Sequence, residues 1–446
     1  MPLLPNSLRD RLRLMSIENK TILRGMSRVA VFLMLAKLIA AVKEMFVAYC
    51  YGTSAVVDGY LFAFNLIMWP GNVFFSVISF VLIPYLVSMR VEKPDQEARF
   101  RSELLFVTIV IGIVVSYVAG IALLGFVASG MAGLSVLGQQ AALIAIPWLA
   151  PTVAFCCLAA LYSTWLMSER RHANTFLEAM PALCVVLALL IWMLLDISLG
   201  QSLVPLVAGT LAGFALQTGL LAYLTGCGFR AAWPNVSSPH WQGLRHVFGA
   251  MLLAQIVMTS SGLVDQFFAV RMGEGVLAVY SYAQRVMGLL LGFSAVVIGR
   301  ALLPVLSGVT DARLSWQIAK RWAWLFGLFG VVGAGMLGLM ANLIVAILFE
   351  RGAFTAADTT AVSEVLVVLG IQLPFYLAGI VFVQWLGAVK QQDRLLMVAS
   401  AGFIVKLVCA LLLYDFNGVG LAWSTVAMYL ATTVVISLVA TRLTKN

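Results

Sequence analysis

Apolar stretches long enough to cross a bilayer recur from Ser27 almost to the last residue, separated only by short polar breaks. A hydrocarbon core of ~30 Å takes ~20 helical residues at ~1.5 Å each. On that measure the pattern predicts helical spans near 27–50, 57–88, 104–128, 141–167, 176–199, 203–225, 247–270, 276–306, 321–348, 362–388, 396–415 and 419–440. The expected fold is an all-α polytopic membrane protein of about twelve transmembrane helices. Little chain is left over for a soluble domain. Pro70, followed by Gly71 and Asn72, interrupts the second span, so a kink or unwound turn, and with it a hinge, is expected there.

The polar breaks alternate in charge. Arg90, Lys93, Arg99 and Arg101 fall in one break and Arg170 and Arg171 in the next but one. The series continues through Arg230, Arg245, Arg313, Lys320, Arg321, Lys390 and Arg394 to Arg442 and Lys445. Of 28 Lys and Arg, 21 lie on that side when the N-terminal cluster from Arg9 to Arg28 is included, whereas the opposite loops hold only Arg271 and Arg351. The positive-inside rule then places both termini in the cytoplasm, with the chain multi-pass in the cytoplasmic (inner) membrane. Segment 1–26 is basic and has no apolar core or cleavage site, so it is expected to stay cytoplasmic rather than act as a signal peptide.

Composition supports a lipid setting, with 62% hydrophobic and 11% charged residues, against roughly 25% charged in soluble domains. The formal charge of +9 sits where the membrane explains it, so no nucleic-acid partner is implied. Six cysteines (Cys50, Cys156, Cys157, Cys184, Cys227, Cys409) and three loop histidines (His172, His240, His246) have no ligand spacing, which argues against a metal site.

An internal repeat runs through the chain. Residues 44–66 align with 265–287 at a constant offset, pairing Glu44 with Asp265, Phe46 with Phe267, Ala48 with Ala269 and Gly52 with Gly273. Two six-helix halves that start on the same side of the membrane are parallel repeats. The expected division is a cytoplasmic segment 1–26, an N-terminal lobe 27–228, a cytoplasmic linker 229–246 and a C-terminal lobe 247–446 around a central cavity.

Charges at mid-depth are costly and functional by default. Lys37 and Lys43 in the first span, Arg285 in the eighth and Lys406 in the eleventh are such charges, with Arg300 nearer the cytoplasmic end of the eighth. Lys37 shares a helix face with Glu44, while Lys43 points about 100° away from it. One face is thus expected to hold an ion pair and another a bare ammonium. Arg285 is the strongest candidate anion ligand, since a guanidinium grips phosphate bidentately and stays charged. Glu44, Asp58 and Asp265 are expected to serve as counter-ions or gate latches; Asp58 has the alternative of capping its own helix. Cations lining a cavity imply an anionic substrate.

Three stretches resemble the MurJ (MviN) branch of the multidrug/oligosaccharidyl-lipid/polysaccharide exporter superfamily, the lipid II flippases. They are KEMFVAYCYGTSAVVDGYLFAFNL at 43–66, YAQRVMGLLLGFSAVVIGRALLPVLS at 282–307 and ILFERGAFTAADT at 347–359, and the resemblance covers essentially the whole chain. It implies two six-helix lobes around an amphipathic cavity that alternates between inward- and outward-facing states. It also implies that basic residues of span one, an arginine of span eight and an aspartate between spans one and two carry function, which here fall on Lys37, Lys43, Arg285 and Asp58. The pattern departs at Gly71 and Asn72, where lipid II flippases carry paired arginines, and at Gln284, where they carry aspartate. It departs again in two further C-terminal spans that this chain does not reach.

The expected function is a flippase, not an enzyme, moving a polyprenyl-diphosphate-linked saccharide, either an exopolysaccharide or O-antigen repeat unit or lipid II, among membrane lipids and as a monomer. No cofactor is expected. No Gly-Lys-Ser/Thr nucleotide loop occurs, so a Na+ or H+ gradient or the membrane potential would supply the energy. The rivals are a multidrug/cation antiporter of the same superfamily, which would need free carboxylates in the cavity, and a membrane polysaccharide polymerase or ligase, which would need a large outer loop.

Overall fold

The computed structural model describes residues 32, 34–92, 94–169, 171, 173–195, 202–226, 231–235, 238–307, 311–389, 391 and 394–444. The expected N-terminal segment 1–26, His172 and Cys227 lie outside these residues, as does the side chain of Arg300. Among the described residues every regular element is a helix. In chain order they are α1 (34–51), α2 (Ala55–Glu92), α3 (Pro94–Ala128), α4 (Val136–Ser168), α5 (Ala173–Leu177), α6 (Met180–Leu194) and α7 (Val204–Thr225). The second half holds α8 (Pro239–Arg271), α9 (Val276–Ser307), α10 (Ala312–Phe349), α11 (Ala356–Gly370), α12 (Leu373–Ala388), α13 (Leu395–Leu412) and α14 (Asn417–Leu443).

Ten helices are long and apolar enough to cross a membrane, and the α11–α12 pair, bent by 44°, makes an eleventh. The remaining expected span is α1, which carries Lys37, Lys43 and Glu44 and whose start falls outside the described residues. Large apolar side chains cover the exterior: Leu339 is 89% and Leu194 85% exposed. Helices apolar on their outward as well as their inward faces belong in lipid.

Local chemistry sets the helix ends. Ser135 caps α4 by accepting from the Gly138 amide, Asp311 caps α10 through the Arg313 amide, and Thr355 with Asp358 forms a full capping box on α11. The fifth expected span divides at Glu178–Ala179, just ahead of Pro181, which opens α6. By contrast, α2 runs as one helix through both Pro70 and Pro84, so of the kink or unwound turn expected at Pro70 and Gly71 the unwound turn does not form. The flank is held by close packing: a Cβ on Gly71 would lie 3.1 Å from the Cys156 sulfur of α4. Within the linker expected at 229–246, α8 begins at Pro239, and its apolar span runs from Val247. What precedes it docks on α3, where the Ala232 amide donates to the Ser102 carbonyl.

Packing is strongest inside each half, with α4 against α2, α3 and α7 in the first and α12 against α9, α10 and α14 in the second. The halves meet where α2 packs on α8 and α9. Contacts also sort the loops to two ends. At one end, the basic end, Arg90 and Arg101 bind Glu97 and Glu169 across α2, α3 and α4, and Arg313 reaches the Thr444 carbonyl. At the distal end, Tyr51 donates to the Ser202 carbonyl, Arg271 to that of Met131, and Tyr414 to that of Arg271.

Candidate functional site

Two polar cavities adjoin at the junction of the halves. The first, about 350 Å³, is walled by α1, α2, α4, α6 and α7 and includes Lys43, Glu44, Tyr60, Glu178 and Gln217. The second, about 390 Å³, is walled by α2, α8, α9, α13 and α14 and includes Asn65, Asp265, Gln284 and Lys406. Arg285 and Asn72 line both. The guanidinium therefore stands at the border between them, and its side chain is 44% exposed.

Glu44 organises the border. It is buried, and its Oε1 lies 2.8 Å from Lys43 Nζ and 3.2 Å from Arg285 Nε. Glu44 is thus held by Lys43 and not by Lys37, contrary to the helix-face expectation, because a long lysine side chain sweeps round to an adjacent residue. No bare ammonium results at Lys43, whose Nζ also stands 6.0 Å from the Phe64 ring centroid. Lys37 is exposed on α1 and lines neither cavity; the acid whose charge it meets is Glu178.

A second acid–cation pair occupies the corresponding place in the repeat. Lys406 Nζ, 2% exposed, lies 2.8 Å from Asp265 Oδ2 and donates to Thr425 Oγ1 at 2.9 Å. Tyr280 bonds the same threonine and receives a hydrogen bond from Gln284. Lys406 is a sealed partner of Asp265, whereas Arg285 is an open one. The three cations Lys43, Arg285 and Lys406 face three acids, Glu44, Glu178 and Asp265, so the lining is close to neutral and not the cationic surface that the sequence suggested. Glu178 was missed. Its signal was an acid just inside the fifth apolar run, two residues before Met180 and three before Pro181.

The distal end is closed by polar contacts between the halves. Asp58 does not cap its own helix; its carboxylate accepts from the amides of Gly275 (2.6 Å) and Ala278 (2.7 Å) at the start of α9. A carboxylate at a helix N-terminus satisfies orphan amides and meets the positive end of the dipole. Beside it, the Ala353 amide donates to the Tyr49 carbonyl, Tyr282 donates to the Gly52 carbonyl, and the Thr53 hydroxyl donates to Asp358. The 347–359 stretch is thus the partner of the α1–α2 turn. Gly52 and Gly273, aligned by the repeat, both take positive φ, at +57° and +135°. Pro70 lines neither cavity, and Gly71 packs on Cys156 of α4, which itself lines the first cavity.

The helices and their cavity define a polytopic membrane protein with the fold of the multidrug/oligosaccharidyl-lipid/polysaccharide transporters. A solved lipid II flippase MurJ in an inward closed conformation shares it at TM-score 0.76, with 16% identity over 94% of this chain and 91% of that one. An inward-facing MATE family multidrug transporter follows at 0.73, with 12% identity over 92% and 94%. In sequence, residues 47–445 match the family model described as lipid II flippase MurJ, and the chain belongs to that family. Probable lipid II flippases of Bdellovibrio bacteriovorus and Rhizobium tropici are similar to it, at 31% identity over 37% of this chain and 36% over 23%. The matched stretches span only 32% and 20% of those relatives' length.

Proposed function

We propose that this protein carries a polyprenyl-diphosphate-linked saccharide from the inner to the outer leaflet by alternating access, as a monomer with both termini in the cytoplasm. The observation that carries the reading is Arg285, an exposed guanidinium at the meeting of two polar cavities and the two halves, tethered to Glu44 through Nε. A diphosphate entering from the basic end competes with Glu44 for Arg285 and Lys43. Charge-assisted, bidentate bonds to phosphate then replace a pair that formed without substrate. The near-neutral lining is suited to this exchange, because each cation keeps a partner while the cavity is empty. Releasing Glu44 couples head-group binding to the junction of the halves, and parting of Asp58 from α9 opens the distal end.

A membrane potential or a Na+ or H+ gradient drives the cycle. A drug/cation antiporter would need carboxylates free to take a cation, yet Glu44 and Asp265 are both engaged by basic groups, and Glu178, which also lines the first cavity, stands in the field of Lys37. Lipid II and an exopolysaccharide or O-antigen unit share the same anionic head, and depletion of the protein separates them. Accumulation of peptidoglycan precursor at the inner face identifies lipid II, and accumulation of a surface-polysaccharide unit identifies the other. Accumulation of neither would overturn the flippase reading.

A further inference from the structure

Beyond Arg285, the second polar cavity carries uncharged hydrogen-bonding groups that contacts within the protein leave open. Gln266 on α8 accepts from Asn65 Nδ2 of α2 at 3.0 Å, so Gln266 Nε2 and Asn65 Oδ1 stay without partners among the described residues. Gln284 Nε2 donates to the Tyr280 hydroxyl at 2.8 Å, which leaves Gln284 Oε1 open in the same sense. The hydroxyls of Ser261 and Ser281 line the same space and meet no partner among the described residues, although Ser281 is buried. The Trp69 indole is fixed in the wall, since its Nε1 donates to Thr259 Oγ1 at 3.0 Å. The charges are already matched. Lys406 is sealed against Asp265, and Arg285 stands at the border with the first cavity, toward Lys43 and Glu44. In that first cavity the exposed residue Glu178 adds a further negative charge.

We propose that the second cavity is the subsite for the saccharide and that it selects a head group without carboxylates, a proposal that rests on the flippase reading above. Arg285 and Lys43, the cations open to a ligand, draw the diphosphate toward the first cavity, and the sugar bonded to it then extends into the second. Sugar hydroxyls and N-acetyl groups both donate and accept, which suits a wall of open amide and hydroxyl groups of both kinds. A site built to hydrogen-bond such groups discriminates through them. The volume, about 390 Å³, falls within the roughly 300–1,000 Å³ of small-molecule sites, and the Trp69 ring offers an apolar face to the C–H side of a sugar. A carboxylate on the head would lose its water there and find every cation among the described lining residues already engaged by an acid or by the diphosphate. Of the two substrates above, this favours an uncharged polysaccharide repeat unit over a lipid II head with its peptide carboxylates.

The test measures equilibrium binding to the full-length protein in nanodiscs with three water-soluble, short-chain polyprenyl diphosphates. One is bare, one carries an uncharged N-acetylated disaccharide, and one carries the same disaccharide with a uronate. The uncharged disaccharide is expected to bind about tenfold tighter than the bare diphosphate and the uronate no tighter than it. Gln266→Leu removes an open donor and is expected to erase most of that gain with the bare probe unchanged. Ser281→Ala, which breaks no contact among the described residues, should cost the uncharged disaccharide about threefold. Equal binding of all three probes by the wild type, tightest binding of the uronate, or a full gain kept in Ser281→Ala and Gln266→Leu alike overturns the proposal alone. Failure of the wild type to bind any of the probes overturns the flippase reading together with it.

Discussion

Asp58 Oδ2 lies 2.6 Å from the backbone amide of Gly275, joining the first turn of α2 to the start of α9 across 217 residues of chain. With the Ala278 amide on Oδ1, this one carboxylate ties the two halves together at the distal end. Asp58→Asn keeps the size but loses the charge that meets the helix dipole and one of the two oxygens that accept from the Gly275 and Ala278 amides, a change of about 1–2 kcal/mol. The population with an open distal end should then rise roughly five- to thirtyfold. Distances between spin labels at Val136 and Glu274, both exposed at that end, should lengthen; an unchanged distribution refutes the latch.

Gly52 gives an independent handle on the same closure. Its φ of +57° disfavours any L side chain, and a Cβ there would lie 2.6 Å from the Ala353 carbonyl oxygen. Gly52→Ala adds about 1–2 kcal/mol of backbone strain to that clash. Transport should fall sharply and the same labels should move apart, whereas wild-type transport would mean that the α1–α2 turn and the 347–359 stretch need not meet.

Glu44 is the competitor for the substrate's phosphates. Glu44→Gln keeps a hydrogen-bonding side chain and removes the charge, so Lys43 and Arg285 lose their counter-ion. The apparent KM for substrate should fall several-fold while turnover slows, because release also depends on the carboxylate returning. A higher KM in steady-state flipping assays would instead make Glu44 a substrate ligand.

Lys406 and Asp265 form a buried pair whose single truncation leaves a charge uncompensated. Lys406→Met should cost about 3–5 kcal/mol, and combining it with Asp265→Leu should restore most of that. Thermal unfolding in detergent compares the three proteins. A single variant as stable as the wild type would show that the pair is not closed off from water.

Much of this architecture is legible in the sequence, because span length and charge bias follow from bilayer thickness and surface potential, both of which act on composition. Each expected apolar run coincides with a helix or a bent or broken helix pair, and the glycine and acid register of the repeat marks Gly52 with Gly273 and Glu44 with Asp265. What escaped are contacts that depend on two distant elements at once. Asp58 has no sequence cue for a backbone amide 217 residues away. Lys43 reaches Glu44 because a flexible side chain is not bound by the helical wheel. Pro70 gave a breaker signal, yet α2 stays helical through it, with Gly71 packed closely on Cys156 of α4.

The most direct measurement is the initial rate at which a polyprenyl-diphosphate saccharide crosses proteoliposomes containing Arg285 variants. Arg285→Ala should lower the rate roughly a hundredfold with folding intact, and Arg285→Lys should recover only part of it, since a point charge cannot make the bidentate contact. Flipping by Arg285→Ala at the wild-type rate would contradict the account.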